Sequence, residues 1–129
     1  MMIGIVLSGC SPIGIKKHPA LNKIYKESWD GHPVIVEKQY FEGEYEVIIE
    51  ISDEAQVKNL ISHFEKANWN DSFDVDMPHP DFIFTWNSYT HYIWENERLG
   101  RLEFNIIGEG GFGNLSKRSS EKVYDIFMN

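Results

Sequence analysis

The chain has 129 residues, 42% of them hydrophobic and 14% aromatic, which is enough apolar material for one packed core and excludes a disordered chain. Its formal net charge is −8, and the charge is uneven: residues 11–31 carry four lysines against Glu27 and Asp30, a net +2 that leaves −10 from His32 onward. A body this acidic repels phosphate, which argues against a nucleic-acid partner and leaves a membrane or a protein as the partner class. One cysteine excludes an internal disulfide, no Cys/His spacing suits zinc, and no apolar run approaches the roughly 20 residues of a membrane-crossing helix.

The chain opens with seven residues that are apolar apart from Gly4, then Ser8, Gly9 and the lone Cys10. Leu7-Ser8-Gly9-Cys10 is similar to the bacterial lipobox. In that class of signal the thiol receives a diacylglycerol and the peptide is cut just before the cysteine. Residues 1–9 then read as a signal remnant, and Cys10 as the lipidation site. The departure from an ordinary export leader is at the front, where nine residues precede the cysteine and none is basic; the sequence leaves open a start upstream of Met1. Residues 10–31, with Pro12, Pro19 and a positive bias, read as a tether, and 32–129 as a single domain.

Strands lead the domain. His32 to Phe41 contains Val34-Ile35-Val36, and Glu42-Gly43 marks a turn. In Glu44 to Ile51 the two-residue period puts Tyr45, Val47, Ile49 and Ile51 on one face. A helix follows from about Glu54 to Ala67, capped by Asp53 with Gln56 as capping-box partner. Its apolar stripe is Val57, Leu60, Ile61 and Phe64, with His63 at the stripe's edge. Asn68 to Pro80 reads as a loop. Three strands, Asp81–Trp86, Tyr89–Glu95 and Arg101–Ile107, then form an antiparallel meander with turns at Asn87-Ser88 and Asn96–Gly100. A glycine-rich loop spans Gly108 to Asn114, and a final helix from about Lys117 to Met128 is capped by Ser116. The expected fold is α+β, order β-β-α-β-β-β-α: an antiparallel sheet of about five strands with two helices on one face.

Four features bear on function. Gly108-Glu109-Gly110-Gly111-Phe112-Gly113 matches G-x-G-x-x-G, but too little chain follows Gly113 for a second parallel strand, and Glu109 repels phosphate; it reads as a loop, and no cofactor is expected. Asp74, Asp76, His79 and Asp81 are weak metal candidates, since neither an EF-hand glycine nor its terminal glutamate accompanies them. His91, Glu95, Arg101, Glu103 and Asn105 are expected on the polar face of the meander, where His91 with Glu95 or Glu103 has the chemistry for acid–base catalysis and the group as a whole suits ligand binding. The aromatic set Trp69, Phe82, Phe84, Trp86, Tyr92, Trp94 and Phe104 is mostly core by spacing, with one or two indoles available to line a pocket.

From Tyr45 to Phe127 the chain resembles the YhfM-like domain of small lipoproteins from Gram-positive, spore-forming bacteria. The residues that carry the likeness are Glu50-Ile51-Ser52-Asp53 leading into a helix, Ala67 near its end, and a valine-containing loop running into Pro80-Asp81-Phe82. Tyr92-Ile93-Trp94 and Leu115-Ser116 continue it; the glycine-rich loop departs from it. The resemblance implies an exported, lipid-anchored domain and supplies no catalytic residues. The expected function is a membrane-anchored binding or accessory module. The alternative is a soluble inhibitor or immunity-type protein that meets a basic partner through its acidic surface, and a small enzyme using His91 and Glu95 comes third.

Overall fold

The computed structural model describes residues 23–70, 77–109 and 112–128. In chain order the elements are β1 (Val34–Phe41), β2 (Glu44–Ile51), α1 (Glu54–Glu65), β3 (Asn68–Asn70), β4 (Phe82–Trp86), β5 (Tyr89–Asn96), β6 (Arg101–Ile106), β7 (Phe112–Asn114) and α2 (Lys117–Met128). Residues 23–25 are also helical. The strands make one seven-stranded sheet in the order β2-β1-β4-β5-β6-β7-β3, and every pairing is antiparallel.

The sequence explains most of these elements. The Asp53 carboxylate accepts from Gln56 N at 3.0 Å, satisfying one orphan amide of α1, and the stripe Val57, Leu60, Ile61 and Phe64 is buried as its spacing requires. Ser116 Oγ accepts from Ser119 N at 3.0 Å and caps α2, which buries Val123 and Phe127. Asn87 and Ser88 both take positive φ, the conformation of a two-residue hairpin turn that matches strand twist. Phe64 meets Phe84 and Phe104 edge to face at 5.3 and 4.9 Å, while Phe127 packs on Phe82 and Phe84. Both helices therefore cover the same sheet face, the one that carries Phe82, Phe84, Trp86, Ile93 and Phe104.

Seven strands replace the expected five because two short ones escape the periodicity. Asn68–Asn70 lies inside the expected loop, and Phe112–Asn114 inside the glycine-rich stretch; they pair with each other and extend the sheet beyond β6. Three residues are too few to show alternation. Gly113 is explained by packing rather than by phosphate: a Cβ there would stand 2.7 Å from the Phe104 ring and 3.0 Å from Trp69. Where β7 leaves off, α2 and its entry take over, since Leu102 N donates to Ser120 Oγ at 2.8 Å and Leu115 N to Leu102 O at 2.9 Å.

Two further expectations fail for definable reasons. Tyr45, Val47, Ile49 and Ile51 do not share a face. Val36 pairs with Ile49 but Glu37 with Val47, so one extra residue, Ile48, interrupts the period. Ile51 is buried on the helix side, whereas Val47 is 52% exposed on the open face. The stretch read as a tether does not end at Gly31: Ile24 and Tyr25 are buried in the core, Trp29 packs against it, and the domain already includes Lys23. Polar contacts hold this segment to the β4–β5 turn, with Asp30 N donating to Asn87 Oδ1 and Asn87 Nδ2 to Ser28 O. Gly113→Ala is expected to lower stability by about 1–3 kcal/mol through overpacking against Phe104, read as a drop in the urea unfolding midpoint.

Candidate functional site

Pleating decides what becomes of the expected polar face. His91 pairs with Ile106 and Glu95 with Leu102, so the register puts both on the helix-covered side; Glu103 pairs with Trp94 and belongs to the open face with Arg101 and Asn105. The five residues are thus divided between two faces and His91 is taken away from the rest, while Glu95, near the end of its strand, lines one cleft with Glu103 and another with Arg101.

His91 has no exposed surface. Its ring stacks on Phe84 at 4.4 Å and 14°, lies near-parallel to Phe104 at 6.0 Å, and meets the edge of Phe64 at 5.6 Å. Both nitrogens are engaged. Nδ1 lies 3.0 Å from Tyr89 O, so it carries the proton and donates, and Nε2 accepts from the Tyr25 hydroxyl at 2.8 Å. Desolvation drives the imidazole pKa down to about 4, partly opposed by the bond to Tyr89 O, and raises that of Tyr25 well above its ordinary value. A neutral, enclosed imidazole with both nitrogens bonded has no route to an outside substrate. Acid–base chemistry by His91 with Glu95 or Glu103 has no geometry here. Sequence reasoning assigned His91 to the solvated face because the strand's apolar and polar residues sit on both of its sides; Tyr25, its partner, lay in the stretch read as tether.

What the structure does bring together is Glu95 and Glu103 with His79 and Asp81, around a shallow cleft of about 480 Å³ that Trp94 floors. Asp81 Oδ2 accepts from Glu95 N at 2.7 Å, and Asn96 Nδ2 donates to Glu103 at 3.3 Å. Burial, then the Asp81 carboxylate, raises the pKa of Glu95. Asp74 and Asp76 lie outside the described residues. Among the described residues no three His, Cys, Asp or Glu side chains come together as metal ligands. Of the segment read as a metal candidate, the described residues 77–80 close over the sheet: Trp94 Nε1 donates to Pro78 O at 2.8 Å and Tyr45 OH to Pro80 O at 2.7 Å, and Trp94 is 6% exposed on the otherwise open face.

Two other concavities have distinct chemistry. Between the β5–β6 turn and α2, Glu95, Glu97, Glu121 and Asp125 surround Leu102 and Tyr124 in a cleft of about 260 Å³, with Arg101 at its border. Between the 25–29 segment and α1 lies a recess of about 350 Å³ walled by Tyr25, Trp29 and Trp86, with Val57 and Ile61 from the helix. The recess is not visible in the sequence because one wall is the stretch read as tether; of its two indoles only Trp86 belongs to the aromatic set, and Trp29 does not. Trp86 is 3% exposed and its Nε1 is buried without a hydrogen-bond partner, a condition that costs about 1–3 kcal/mol.

No family model, no curated protein and no solved structure matches the chain. The likeness to the YhfM-like domain rests on the quoted residues alone.

The buried imidazole sets a pH dependence. Its folded pKa of about 4 lies below the ordinary 6.5, so the unfolded chain binds the extra proton between those values. Stability is full above pH 6.5 and falls as pH drops toward 4, by about 3 kcal/mol from this group. Urea unfolding of wild type and His91→Gln from pH 7 to 4 isolates it: the wild type loses more stability on acidification than the variant. A difference between the two that stays flat across that range would show that His91 protonates freely in the folded protein.

Proposed function

We propose that the protein is a lipid-anchored binding module on the extracytoplasmic face of the cell membrane, and not an enzyme. The anchor is the diacylglyceryl group on Cys10, written in Leu7-Ser8-Gly9-Cys10 and in keeping with the YhfM-like resemblance. No helix among the described residues is long and apolar enough to cross a membrane. The observation that carries the binding half is the recess beside Trp86, where an aromatic-walled hollow meets a buried indole N–H that lacks an acceptor. The lysines at 16, 17 and 23, between Cys10 and the first of the described core residues, Ile24, add attraction to an anionic leaflet of about 1 kcal/mol each.

The acidic cleft favours a second reading, a soluble inhibitor or immunity-type protein. Four carboxylates around an apolar floor suit the stem and charged head of a lysine or arginine from a basic partner. Under this reading pentalysine binds with an affinity that falls as salt rises, and a Glu97→Lys, Glu121→Lys double variant loses that binding.

The first reading is checked by detergent phase partitioning and intact mass of the full chain made in a Gram-positive host behind its own upstream sequence. Wild type is expected in the detergent phase with the added mass of a diacylglycerol, and Cys10→Ala in the aqueous phase. Recovery of wild type from the cytosol with an unmodified thiol would overturn the anchor.

A further inference from the structure

The recess between the 25–29 segment and α1 has a sharper chemical signature than a general apolar hollow. Tyr25 and Trp86 meet with ring centroids 5.8 Å apart at 43°, so they form a corner of two π systems rather than a closed slot. Trp29 adds a third ring, and its own Nε1 is committed to His32 O at 2.9 Å. Among the described residues the border carries the carboxylates Glu27, Glu54 and Glu65 and one cation, Lys58. Glu27 is held in place by the Tyr89 hydroxyl, which donates to its Oε2 at 2.6 Å, and a carboxylate keeps acceptor capacity beyond one such bond. From His32 onward the chain carries a net −10, which raises the local concentration of cations over that of anions.

These features discriminate among ligand classes. A hydrated metal ion needs several oxygen ligands in exchange for its water, and a wall of aromatic rings cannot supply them. An anion meets three carboxylates and one lysine. A purely apolar ligand has no use for the acidic border. A weakly hydrated organic cation satisfies both surfaces at once, because its diffuse charge is attracted by ring faces as well as by carboxylates. Trp86, which lines the recess, carries an indole N–H that lacks an acceptor, and an oxygen on the ligand would answer it.

We infer that the recess binds a small substituted-ammonium compound bearing an acceptor oxygen, with the cation in the Tyr25–Trp86 corner under the acidic border and the oxygen toward Trp86 Nε1. The inference rests on the binding-module reading and adds the chemical class of the ligand. A volume of about 350 Å³ accommodates one such molecule of modest size and excludes a folded partner.

Choline is a suitable probe, with the neutral isostere that has carbon in place of its nitrogen as the control. Titration of the full chain, followed by tryptophan fluorescence and by calorimetry, is expected to show saturable choline binding and at least about ten-fold weaker binding of the isostere. Glu54→Gln is expected to weaken choline binding several-fold with the thermal midpoint little changed. Trp86→Phe, followed by calorimetry, is expected to weaken it too. No saturable choline response, or equal affinity for choline and isostere, overturns the inference. If choline fails while the isostere or propionate binds in a manner sensitive to Trp86→Phe, the cationic class is wrong and the binding-module reading stands. If all three are inert, the recess is a packing seam and the ligand-binding reading falls with the inference.

Discussion

The Tyr25–His91 hydrogen bond is the joint on which the arrangement turns. It links a residue near the start of the described chain to the middle of the central strand β5, in a box of Phe64, Phe84 and Phe104. Neither group tolerates burial alone. The imidazole needs a donor for Nε2 and the phenol an acceptor for its proton, and each supplies what the other lacks. Because the bond is made, the 23–29 segment lies against the sheet beside α1, and the space between them becomes a walled recess. The same bond closes off the imidazole that catalysis would have required.

Much of the fold was legible in the residues. Asp53 with Gln56, Ser116, the Val57-to-Phe64 stripe and the Asn87-Ser88 turn are local signals, and each is realised because a short stretch of backbone determines it. What escaped was non-local. Asn68–Asn70 and Phe112–Asn114 become strands only because they find each other and β6. The extra residue at Ile48 reverses the faces of half a strand without altering a single hydropathy value. Tyr25 is polar and aromatic in a Lys- and Pro-containing stretch, and nothing short of its distant partner marks it as core.

The candidate site was legible in part. His91, Glu95, Arg101 and Glu103 were correctly placed on strands, but a polar residue on a half-apolar strand does not announce which side it takes, and a histidine with two partners is satisfied in a core. The indoles were the better guide. Trp94 is covered by the Met77–Pro80 segment, while Trp86 borders the recess and keeps an unanswered N–H. A buried donor without an acceptor is a feature that packing alone does not explain.

The outer border of the sheet has a consequence of its own. Among the described strands β2 is terminal in the sheet and eight residues long, and an unpaired rim of that length is a ready template for a foreign strand. Its ladder with β1 slips twice, after Val36 and after Gln39, and Glu44, Glu46 and Glu50 stand exposed along it. An incoming chain would meet kinked spacing and like charges from any copy of itself. The same irregularity that hides the faces of this strand from periodicity is of the kind by which sheet proteins disfavour edge-to-edge growth.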